Sequence, residues 1–375
     1  MMQTNFSNNL FLAANAETML ANTCSHPMVL GSICINCRHE VSDQHCLRFD
    51  YIIHGLKLTK TEVDWMRNME TDILLSKKKL ILVLDLDETL LQTTRDSVTE
   101  YIESLQDVIK VKLPNSYSCT VKLRPFVLDF LEQASTMFEL YVYTNSRQAY
   151  ATEMVKLLDP DNKYFNSRLI SRDDSTESGT KNLDIVMGQE RAVVILDDRT
   201  DVWPNHNANV IQVQNYEYFS PRVGKLKSKS FARRKTDEDI KIMETYWEIL
   251  KSVHSQFFYD EHDDPGSRDV RAIMRGVQGE ILNGCRLILR NNSTDKNQIL
   301  EVQRMAEKMG AICVLKMDPS VTHVVFMEAR PEDDGLELLA NKKKKKKRAY
   351  HSVLSRWIFD CYKLWHKLPF EDYMA

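Results

Sequence analysis

Two aspartates with one residue between them follow an apolar run of five residues, Leu80–Leu84. They belong to the segment DLDET (85–89), and residues two apart in an extended chain lie on one side, so both carboxylates can face one pocket. A carboxylate with a pKa near ~4 is ionised at neutral pH and can attack the phosphorus of a phosphomonoester. Asp85 is therefore a candidate nucleophile. Asp87 is a candidate acid and base, which protonates the departing oxygen and later takes a proton from water.

Candidate metal ligands come from two places in the chain. Asp197 and Asp198 follow the apolar run Ala192–Leu196, just as Asp85 and Asp87 follow theirs. Because carboxylates and a phosphate dianion repel one another, the chemistry needs a cation here. Carboxylate oxygens suit Mg²⁺, which prefers near-octahedral oxygen ligands. The sequence therefore predicts a magnesium site.

Two further side chains are candidates for binding phosphate. Thr144 follows the apolar run Phe138–Tyr143, where its hydroxyl can bond a phosphoryl oxygen. Lys181 follows a polar loop and can neutralise both the phosphate and the nucleophile. Acidic residues after a strand also occur as solvated loop ends, which is the alternative interpretation of DLDET. The order of the four polar segments along the chain favours phosphoryl transfer.

The elements that position these residues are predicted from the apolar runs. Leu80–Leu84, Phe138–Tyr143 and Ala192–Leu196 are typical of parallel strands buried on both faces. Helical patterns lie between them, at Phe126–Glu132 and Gln148–Leu158. The alternation predicts an open, doubly wound α/β sheet with its chemistry at the carboxyl ends of the strands.

Length and composition limit the classes of protein to which this chain can belong. Its 375 residues exceed what one hydrophobic core usually supports, so we expect two or three domains. At 43% hydrophobic and 27% charged residues, the composition is typical of a globular protein. No stretch approaches 18 uninterrupted apolar residues, and no basic region precedes the short apolar patch at the N-terminus. Neither a membrane span nor a secretory signal is predicted.

Helical and strand patterns also flank the predicted sheet. A polar helix is predicted at Thr59–Ser76, and a helix capped by Thr236 carries an apolar stripe as far as Phe257. The C-terminal part of the chain shows strand patterns at Cys285–Leu289, Ala311–Leu315 and Thr322–Met327, and a helix that Gly310 ends. A final amphipathic helix is predicted to carry Val353, Trp357, Ile358, Cys361, Leu364 and Trp365.

Five segments carry a resemblance to a known family: LVLDLDETLL (82–91), VKLRPFVLDFLEQAS (121–135), YVYTNSRQAYA (141–151), SRDDSTESGTKNL (171–183) and VVILDDRTDVW (193–203). Together they resemble the haloacid-dehalogenase superfamily and, in detail, its Fcp/Scp branch of RNA polymerase II C-terminal domain phosphatases. The resemblance implies a haloacid-dehalogenase-like doubly wound parallel sheet. It also implies a Mg²⁺-dependent protein serine/threonine phosphatase that works through an aspartyl-phosphate.

The resemblance implies a role for each matching residue. Asp85 is nucleophile and metal ligand, and Asp87 is the acid and base and binds the metal through its main chain. Thr144 and Lys181 bind phosphate. The remaining positions are the metal-site residues Asp197 and Asp198 and the substrate-binding residues Thr89, Arg124, Arg147 and Trp203.

One segment departs from the family's pattern YTxGxR. This chain reads YTNSRQ (143–148), so Ser146 replaces glycine and Arg147 arrives one residue early. The shifted arginine is expected to position a substrate less well. Thr144 is unaffected, so activity is expected to survive.

The C-terminal part resembles a BRCT domain, a small α/β domain. The resemblance lies in NGC (283–285), AEKMGA (306–311), VTHVV (321–325) and SRWIFD (355–360). Where some BRCT domains bind phosphopeptides through a Ser/Thr-Gly pair, this chain reads RNNS (290–293), which favours docking of an unidentified protein partner. The expected organisation is an N-terminal arm (1–75), a catalytic domain (76–260), a linker (261–276) and the BRCT domain (277–375).

Four of the eight cysteines crowd into 23 residues near the N-terminus, which favours metal binding over disulfides and a reducing compartment. Candidate ligands of a structural zinc ion are Cys24, His26, Cys34 and Cys37, with His39, His45 and Cys46 as alternatives. Similar spacing precedes the catalytic module in plant members of the family that the chain resembles. Free cysteines in a partly ordered arm are the other interpretation.

The leading hypothesis is a nuclear phosphatase whose substrate is the phosphorylated C-terminal domain of RNA polymerase II. The lysine run Lys342–Lys347 fits a nuclear import signal, and a solvated surface is the alternative. The basic stretch 222–235 is expected either to attract an acidic substrate or to be a flexible loop.

No membrane partner and no direct nucleic-acid binding are expected. The alternatives are a phosphatase of the same mechanism for another nuclear phosphoprotein, and a catalytically weak phosphopeptide-binding BRCT adaptor.

Overall fold

A computed structural model of the chain describes residues 24–41, 46–95, 108–114, 118–219, 241–259, 264–290, 296–327 and 350–375. The chain divides into two compact units, Met1–Val270 and Arg271–Ala375. Several predictions concern positions outside the described residues: His45, the stretch 222–235, the cap Thr236, the segment 291–293 and the run Lys342–Lys347. The expected domain boundaries stay predictions.

The first unit begins with an antiparallel sheet and a helix. The sheet contains β1 (Met28–Leu30), β2 (Ile33–Cys34), β3 (Cys46–Arg48) and β4 (Leu56–Thr59), in the order β2-β1-β4-β3. Helix α1 (Lys60–Ser76) follows, and the Thr59 hydroxyl caps it by accepting a hydrogen bond from the Glu62 N–H at 3.4 Å. The predicted polar helix is thereby confirmed. The sheet has no counterpart in the sequence predictions, because its strands are short and their periodicity is weak.

The remaining strands and helices of this unit include those of the central sheet. They are β5 (Leu80–Leu84), β6 (Leu91–Thr94), β7 (Ile109–Lys112), β8 (Ser118–Leu123), α2 (Val127–Met137), β9 (Phe138–Tyr143), α3 (Gln148–Leu158), β10 (Leu169–Ile170), β11 (Val193–Asp197), β12 (Val210–Gln212) and α4 (Ile242–Phe257).

The central sheet is parallel, with the order β10-β9-β5-β11-β12. Every residue of β5, β9 and β11 is buried, as continuous apolar runs predict for strands covered on both faces. The three predicted strands are confirmed, the third beginning one residue later than predicted. The doubly wound α/β class is also confirmed.

Another antiparallel sheet of the first unit is formed by strands that come after β5 in the chain. Its order is β6-β8-β7. Strand β7 is largely exposed, with the burial of its four residues showing no alternation. Such an edge strand lacks the pattern from which strands are recognised, and this sheet was not predicted.

The hydrophobic core of the first unit includes both the small sheet and the central sheet. Phe49 and Leu58 belong to the same buried cluster as Val83, Tyr141 and Ile195. The described apolar stripe of α4 is buried as predicted, through Met243, Trp247, Leu250, Val253 and Phe257.

The second unit is a small parallel α/β structure. Its elements are α5 (Val270–Gly279, which begins at the unit boundary), β13 (Arg286–Arg290), α6 (Lys296–Lys308), β14 (Ile312–Cys313), β15 (His323–Phe326), β16 (His351–Leu354) and α7 (Arg356–Leu364). The sheet order is β14-β13-β15-β16. No helix in the described ranges is long and apolar enough to cross a membrane.

The prediction for the final helix is wrong at two positions, since Trp365 directly follows α7 and Val353 precedes it. Val353 was expected in the final helix, but it lies in strand β16, paired with Val325. Both are fully buried side chains in adjacent strands, so their burial does not depend on a helical stripe. Gly310 follows the end of α6 with a φ of +87°, a conformation that glycine adopts readily, and so ends the helix as predicted.

Candidate active site

Asp85 and Asp197 lie next to each other at the carboxyl ends of two paired strands. Strands β5 and β11 run parallel with Leu84 opposite Leu196, and the Asp85 N–H donates to the Leu196 carbonyl at 3.0 Å. Parallel strands bring the residues that follow them to one edge of the sheet. The strand register therefore sets the spacing between these two carboxylates.

The Lys181 ammonium bridges the two carboxylates. Its Nζ lies 2.6 Å from Asp85 Oδ1 and 2.6 Å from Asp197 Oδ2, and the side chain is buried. Burial acts to lower the pKa of Lys181, but the two carboxylates outweigh it and hold the pKa above its ordinary value. Lys181 is therefore positively charged at neutral pH. Its backbone N–H donates to the Val202 carbonyl at 2.7 Å, which anchors the loop that carries it.

A third buried carboxylate, that of Asp198, lies beside the two that Lys181 bridges. The candidate ligand atoms of Asp85, Asp197 and Asp198 all lie within 4.8 Å of one another. Burial raises the pKa of Asp85 well above its usual range, although Lys181 opposes the shift. Burial, together with Asp197, raises the pKa of Asp198 to about 7. A hard divalent cation with oxygen ligands fits this set, because it offsets the excess of negative charge.

Thr89 and Arg124 support Asp198 from inside the protein. The Thr89 hydroxyl lies 3.3 Å from Asp198 Oδ1 and accepts a hydrogen bond from the Asp198 N–H at 3.2 Å. Arg124 donates to the carbonyl oxygens of Thr89 and Gln214 at 3.0 and 2.9 Å. Since Arg124 is 1% exposed and Thr89 is fully buried, both side chains brace the site in this structure. Direct contact of either with a substrate stays a prediction.

Trp203 is likewise buried beside the site. Its indole Nε1 donates to Asp197 Oδ2 at 2.8 Å, and its ring packs edge-on against Tyr143 at 5.3 Å. Lys181 Nζ lies 5.5 Å from the centre of the Trp203 ring. Because the side chain is 0% exposed, Trp203 acts here through Asp197 and Lys181. Its predicted contact with a peptide also stays a prediction.

The turn after β9 connects Thr144 with Asp87. The Ser146 N–H donates to the Thr144 hydroxyl at 3.0 Å, and the Ser146 hydroxyl donates to Asp87 Oδ2 at 2.8 Å. The Tyr150 hydroxyl donates to Asp87 Oδ1 at 2.5 Å. Arg147, directly before α3, is exposed. The structure thus joins the predicted residues Thr144 and Asp87 through Ser146.

The role of Tyr150 was missed in the sequence, although the residue lies in the matching segment 141–151. Burial beside Asp87 raises the pKa of Tyr150 above its ordinary value, so the phenol keeps its proton and donates it. The only signal available in the sequence was its position six residues after the candidate Thr144.

The connection between β3 and β4, together with α1, holds the segment that leads from Lys181 to β11. The Tyr51 hydroxyl donates to the Ile185 carbonyl at 2.7 Å, and Arg67 Nε donates to the Gly188 carbonyl at 2.8 Å. The Gln189 N–H donates to the Thr71 hydroxyl at 2.8 Å. The Tyr51 and Ile185 positions are 134 residues apart, and no sequence pattern linked them.

The predicted zinc ligands come together around the β1–β2 hairpin. The ligand atoms of Cys24, His26, Cys34 and Cys37 lie within 4.8 Å of one another. Cys24 Sγ is 3.8 Å from Cys34 Sγ, and Cys37 Sγ is 3.3 Å from His26 Nδ1. A hydrogen bond from the His39 backbone is the main cause that lowers the pKa of Cys37 to about 6. Three thiols and one imidazole at this spacing form a ligand set that suits a tetrahedral metal site.

Comparison with known families matches both units. Residues 80–248 match the family described as NLI interacting factor-like phosphatase, and residues 277–362 match the BRCA1 C Terminus (BRCT) domain. The first match contains the active-site residues from Asp85 to Trp203, whereas Tyr51, Arg67 and Thr71 precede it.

Among individual relatives, RNA polymerase II C-terminal domain phosphatase-like 4 of Arabidopsis thaliana is 37% identical over 369 residues. That alignment covers 93% of this chain and 82% of the plant protein. An RNA polymerase II C-terminal domain phosphatase of Caenorhabditis elegans is 27% identical, with 92% of this chain and 55% of the nematode protein covered.

A solved structure of Fcp1, described as an essential RNA polymerase II CTD phosphatase, has the same fold. It matches with a TM-score of 0.60 and 24% identity, covering 82% of this chain and 99% of that chain. The match supports the haloacid-dehalogenase-like architecture.

Proposed function

This chain belongs to the family of RNA polymerase II C-terminal domain phosphatases, and on that premise we propose that it removes phosphate from serine or threonine in the C-terminal heptad repeats of RNA polymerase II. One observation carries the chemical part of the proposal. A buried ammonium, Lys181, lies 2.6 Å from Asp85 and 2.6 Å from Asp197 at neighbouring strand ends. From that position the ammonium can neutralise the attacking carboxylate and bind a phosphoryl oxygen as negative charge develops there.

In the first half of the reaction, an Asp85 carboxylate oxygen attacks the phosphorus atom. A bond forms between them, and the bond between phosphorus and the seryl oxygen breaks. Asp87 gives its proton to the departing oxygen, so the product is a neutral hydroxyl and not an alkoxide. Lys181 and Thr144 bind phosphoryl oxygens and keep the phosphorus in line with the attacking oxygen.

In the second half, Asp87 takes a proton from a water molecule. The water oxygen attacks the phosphorus of the aspartyl-phosphate, the bond to Asp85 breaks, and inorganic phosphate leaves. Asp87 ends protonated and Asp85 ends ionised, as at the start. The same carboxyl group thus serves as acid and then as base.

We propose Mg²⁺ as the cation, held by the side chains of Asp85, Asp197 and Asp198 and by the main chain of Asp87. The three carboxylates are hard oxygen ligands and carry more negative charge than Lys181 balances. Bound there, Mg²⁺ neutralises phosphoryl oxygens and lowers the repulsion between Asp85 and the phosphate.

Hydrolysis of p-nitrophenyl phosphate tests the mechanism. The wild-type protein is expected to hydrolyse p-nitrophenyl phosphate with Mg²⁺ and to lose this activity in EDTA. The variant Asp85→Asn is expected to be inactive under both conditions. Phosphoserine heptad peptides, compared with unrelated phosphopeptides, then test the substrate. Preference for an unrelated peptide indicates a phosphatase of another nuclear phosphoprotein. Folded, Mg²⁺-loaded wild type without turnover indicates a phosphopeptide-binding adaptor instead.

We further propose a structural zinc ion at Cys24, His26, Cys34 and Cys37. Metal analysis of chelator-washed protein is expected to find stoichiometric zinc, and Cys34→Ser is expected to lose it. Cys46→Ser is the matched control, since Cys46 lies in the same sheet outside the cluster. Absence of zinc from the washed wild type contradicts this proposal.

The location and the docking role are also proposals. A polymerase substrate implies the nucleus, and deletion of Lys342–Lys347 in a fluorescent fusion tests whether this run directs import. The BRCT unit is proposed to dock a protein partner, which affinity capture with and without residues 277–375 can identify.

A further inference from the structure

The two oxygens of Asp87 are held by two different hydroxyl groups. Ser146 donates to Oδ2 at 2.8 Å, and Tyr150 donates to Oδ1 at 2.5 Å. The Tyr150 hydroxyl also lies 3.1 Å from the Thr93 hydroxyl on β6. Asp87 itself is only half-buried, so neighbouring apolar side chains alone do not enclose its carboxyl group.

We propose that Ser146 and Tyr150 are positioning residues that fix the Asp87 carboxyl group for proton transfer. The inference rests on the proposed phosphatase function. Both donors come from one short stretch, the turn after β9 and the first turn of α3, while Asp87 lies in the loop after β5. With a single donor the carboxyl group can still rotate about its Cβ–Cγ bond. Two donors on different oxygens prevent this rotation.

Hydroxyl groups suit a residue that changes protonation state twice in each cycle. A lysine or arginine can only donate, and so favours the ionised carboxylate. A hydroxyl can donate to an ionised carboxylate and can also accept from a protonated one, and each carboxyl oxygen offers two lone-pair sites. Ser146 and Tyr150 can therefore hold Asp87 both as acid and as base.

Ser146 bonds two of the candidate catalytic residues, Asp87 and Thr144. In this chain the same residue also donates its backbone N–H to the Thr144 hydroxyl at 3.0 Å. One residue thus links the group that is proposed to bind phosphate to the group that is proposed to protonate the leaving oxygen.

The test compares two leaving groups that differ in their need for a proton. A seryl oxygen must be protonated as it leaves, whereas p-nitrophenolate leaves as a stable anion. For wild type, Ser146→Ala and Tyr150→Phe, kcat/KM is measured with a phosphoserine heptad peptide and with p-nitrophenyl phosphate. The value of kcat/KM depends only on the steps up to formation of the aspartyl-phosphate, before Asp87 acts on water.

For the peptide, we expect kcat/KM to fall about tenfold in Ser146→Ala and more in Tyr150→Phe, a fraction of the full contribution of a general acid. For p-nitrophenyl phosphate, we expect a change of less than about threefold. Ser146→Thr keeps a hydroxyl and is expected to recover most of the peptide activity. Thr136→Ala is the matched control, since the exposed Thr136 hydroxyl only bonds the Gln133 carbonyl of its own helix.

The inference is overturned if kcat/KM falls equally for both substrates, or if it does not fall for the peptide. The proposed function still holds in that case, provided that the turnover by wild type depends on Asp85. If the variant Asp85→Asn is as active as the wild type, the proposed function is wrong. Thermal unfolding of each variant separates positioning from misfolding, because a folding defect lowers both activities together.

Discussion

The Trp203 indole donates to Asp197 Oδ2 at 2.8 Å, the same oxygen that accepts from Lys181 at 2.6 Å. The other oxygen, Oδ1, accepts from the Arg199 N–H at 2.8 Å. Asp197 is thus fixed on both sides by the protein. Its orientation determines where the Lys181 ammonium lies relative to Asp85.

Trp203→Phe removes this indole donor and keeps an aromatic ring. We expect kcat for p-nitrophenyl phosphate to fall about tenfold and stability to fall by about 1–3 kcal/mol, because a buried carboxylate loses a hydrogen bond. Steady-state kinetics and urea unfolding measure the two effects. Trp65→Phe, at a half-exposed tryptophan on α1, is the control that should change neither. Unchanged kcat in Trp203→Phe would show that Lys181 and the Arg199 N–H orient Asp197 without the indole.

Lys181→Met leaves two buried carboxylates without their shared ammonium. In EDTA, we expect a loss of about 3–5 kcal/mol in stability, the usual cost of leaving a buried charge unpaired. Asp85→Asn in the same chain should recover part of this loss, because one of the unpaired charges is gone. Urea unfolding of the two single variants and the double variant measures the coupling. Strictly additive effects would contradict a direct ion pair.

Asp198→Asn tests the cation site without touching the nucleophile. We expect the Mg²⁺ concentration for half-maximal turnover to rise at least about tenfold, because one of three carboxylate ligands is lost. Asp201→Asn is the matched control, since Asp201 is exposed and pairs with Arg199 at the surface. Turnover that needs the same Mg²⁺ concentration in both variants would exclude Asp198 as a ligand.

His323 makes the stability of the second unit depend on pH. Burial, with smaller effects from His351 and Lys367, lowers the pKa of His323 to about 4, and its ring stacks on Trp357 at 4.8 Å. The unfolded chain binds a proton near pH ~6.5, so stability is complete above that pH and falls as the pH drops toward 4. We expect a loss of about 2 kcal/mol between pH 7 and pH 5.

Hydrogen exchange of the β13–β16 amides at several pH values, corrected for intrinsic rates, measures this change. His323→Phe keeps a ring against Trp357 and should remove the pH dependence. A dependence that persists in His323→Phe would assign it to another group.

The sequence by itself determined three of the five strands of the central sheet, β5, β9 and β11, and the residues that follow them. Strands buried on both faces are continuous apolar runs, a local pattern that needs no knowledge of their neighbours. Parallel strands joined by helices then place the residues after each run at one edge. Asp85, Thr144 and Asp197 could therefore be predicted as neighbours from their positions after Leu84, Tyr143 and Leu196.

Only the tertiary structure decided how each of these groups is held. The Ser146–Asp87 bond joins residues 59 apart, and the Tyr51–Ile185 bond joins residues 134 apart. Hydrogen bonds at such separations depend on rotamers and packing across several elements, which leave no period in the sequence. For the same reason the burial of Arg124 and Trp203 was not foreseen. A sequence pattern records whether a side chain is polar, whereas the fold decides whether it faces a substrate or another side chain.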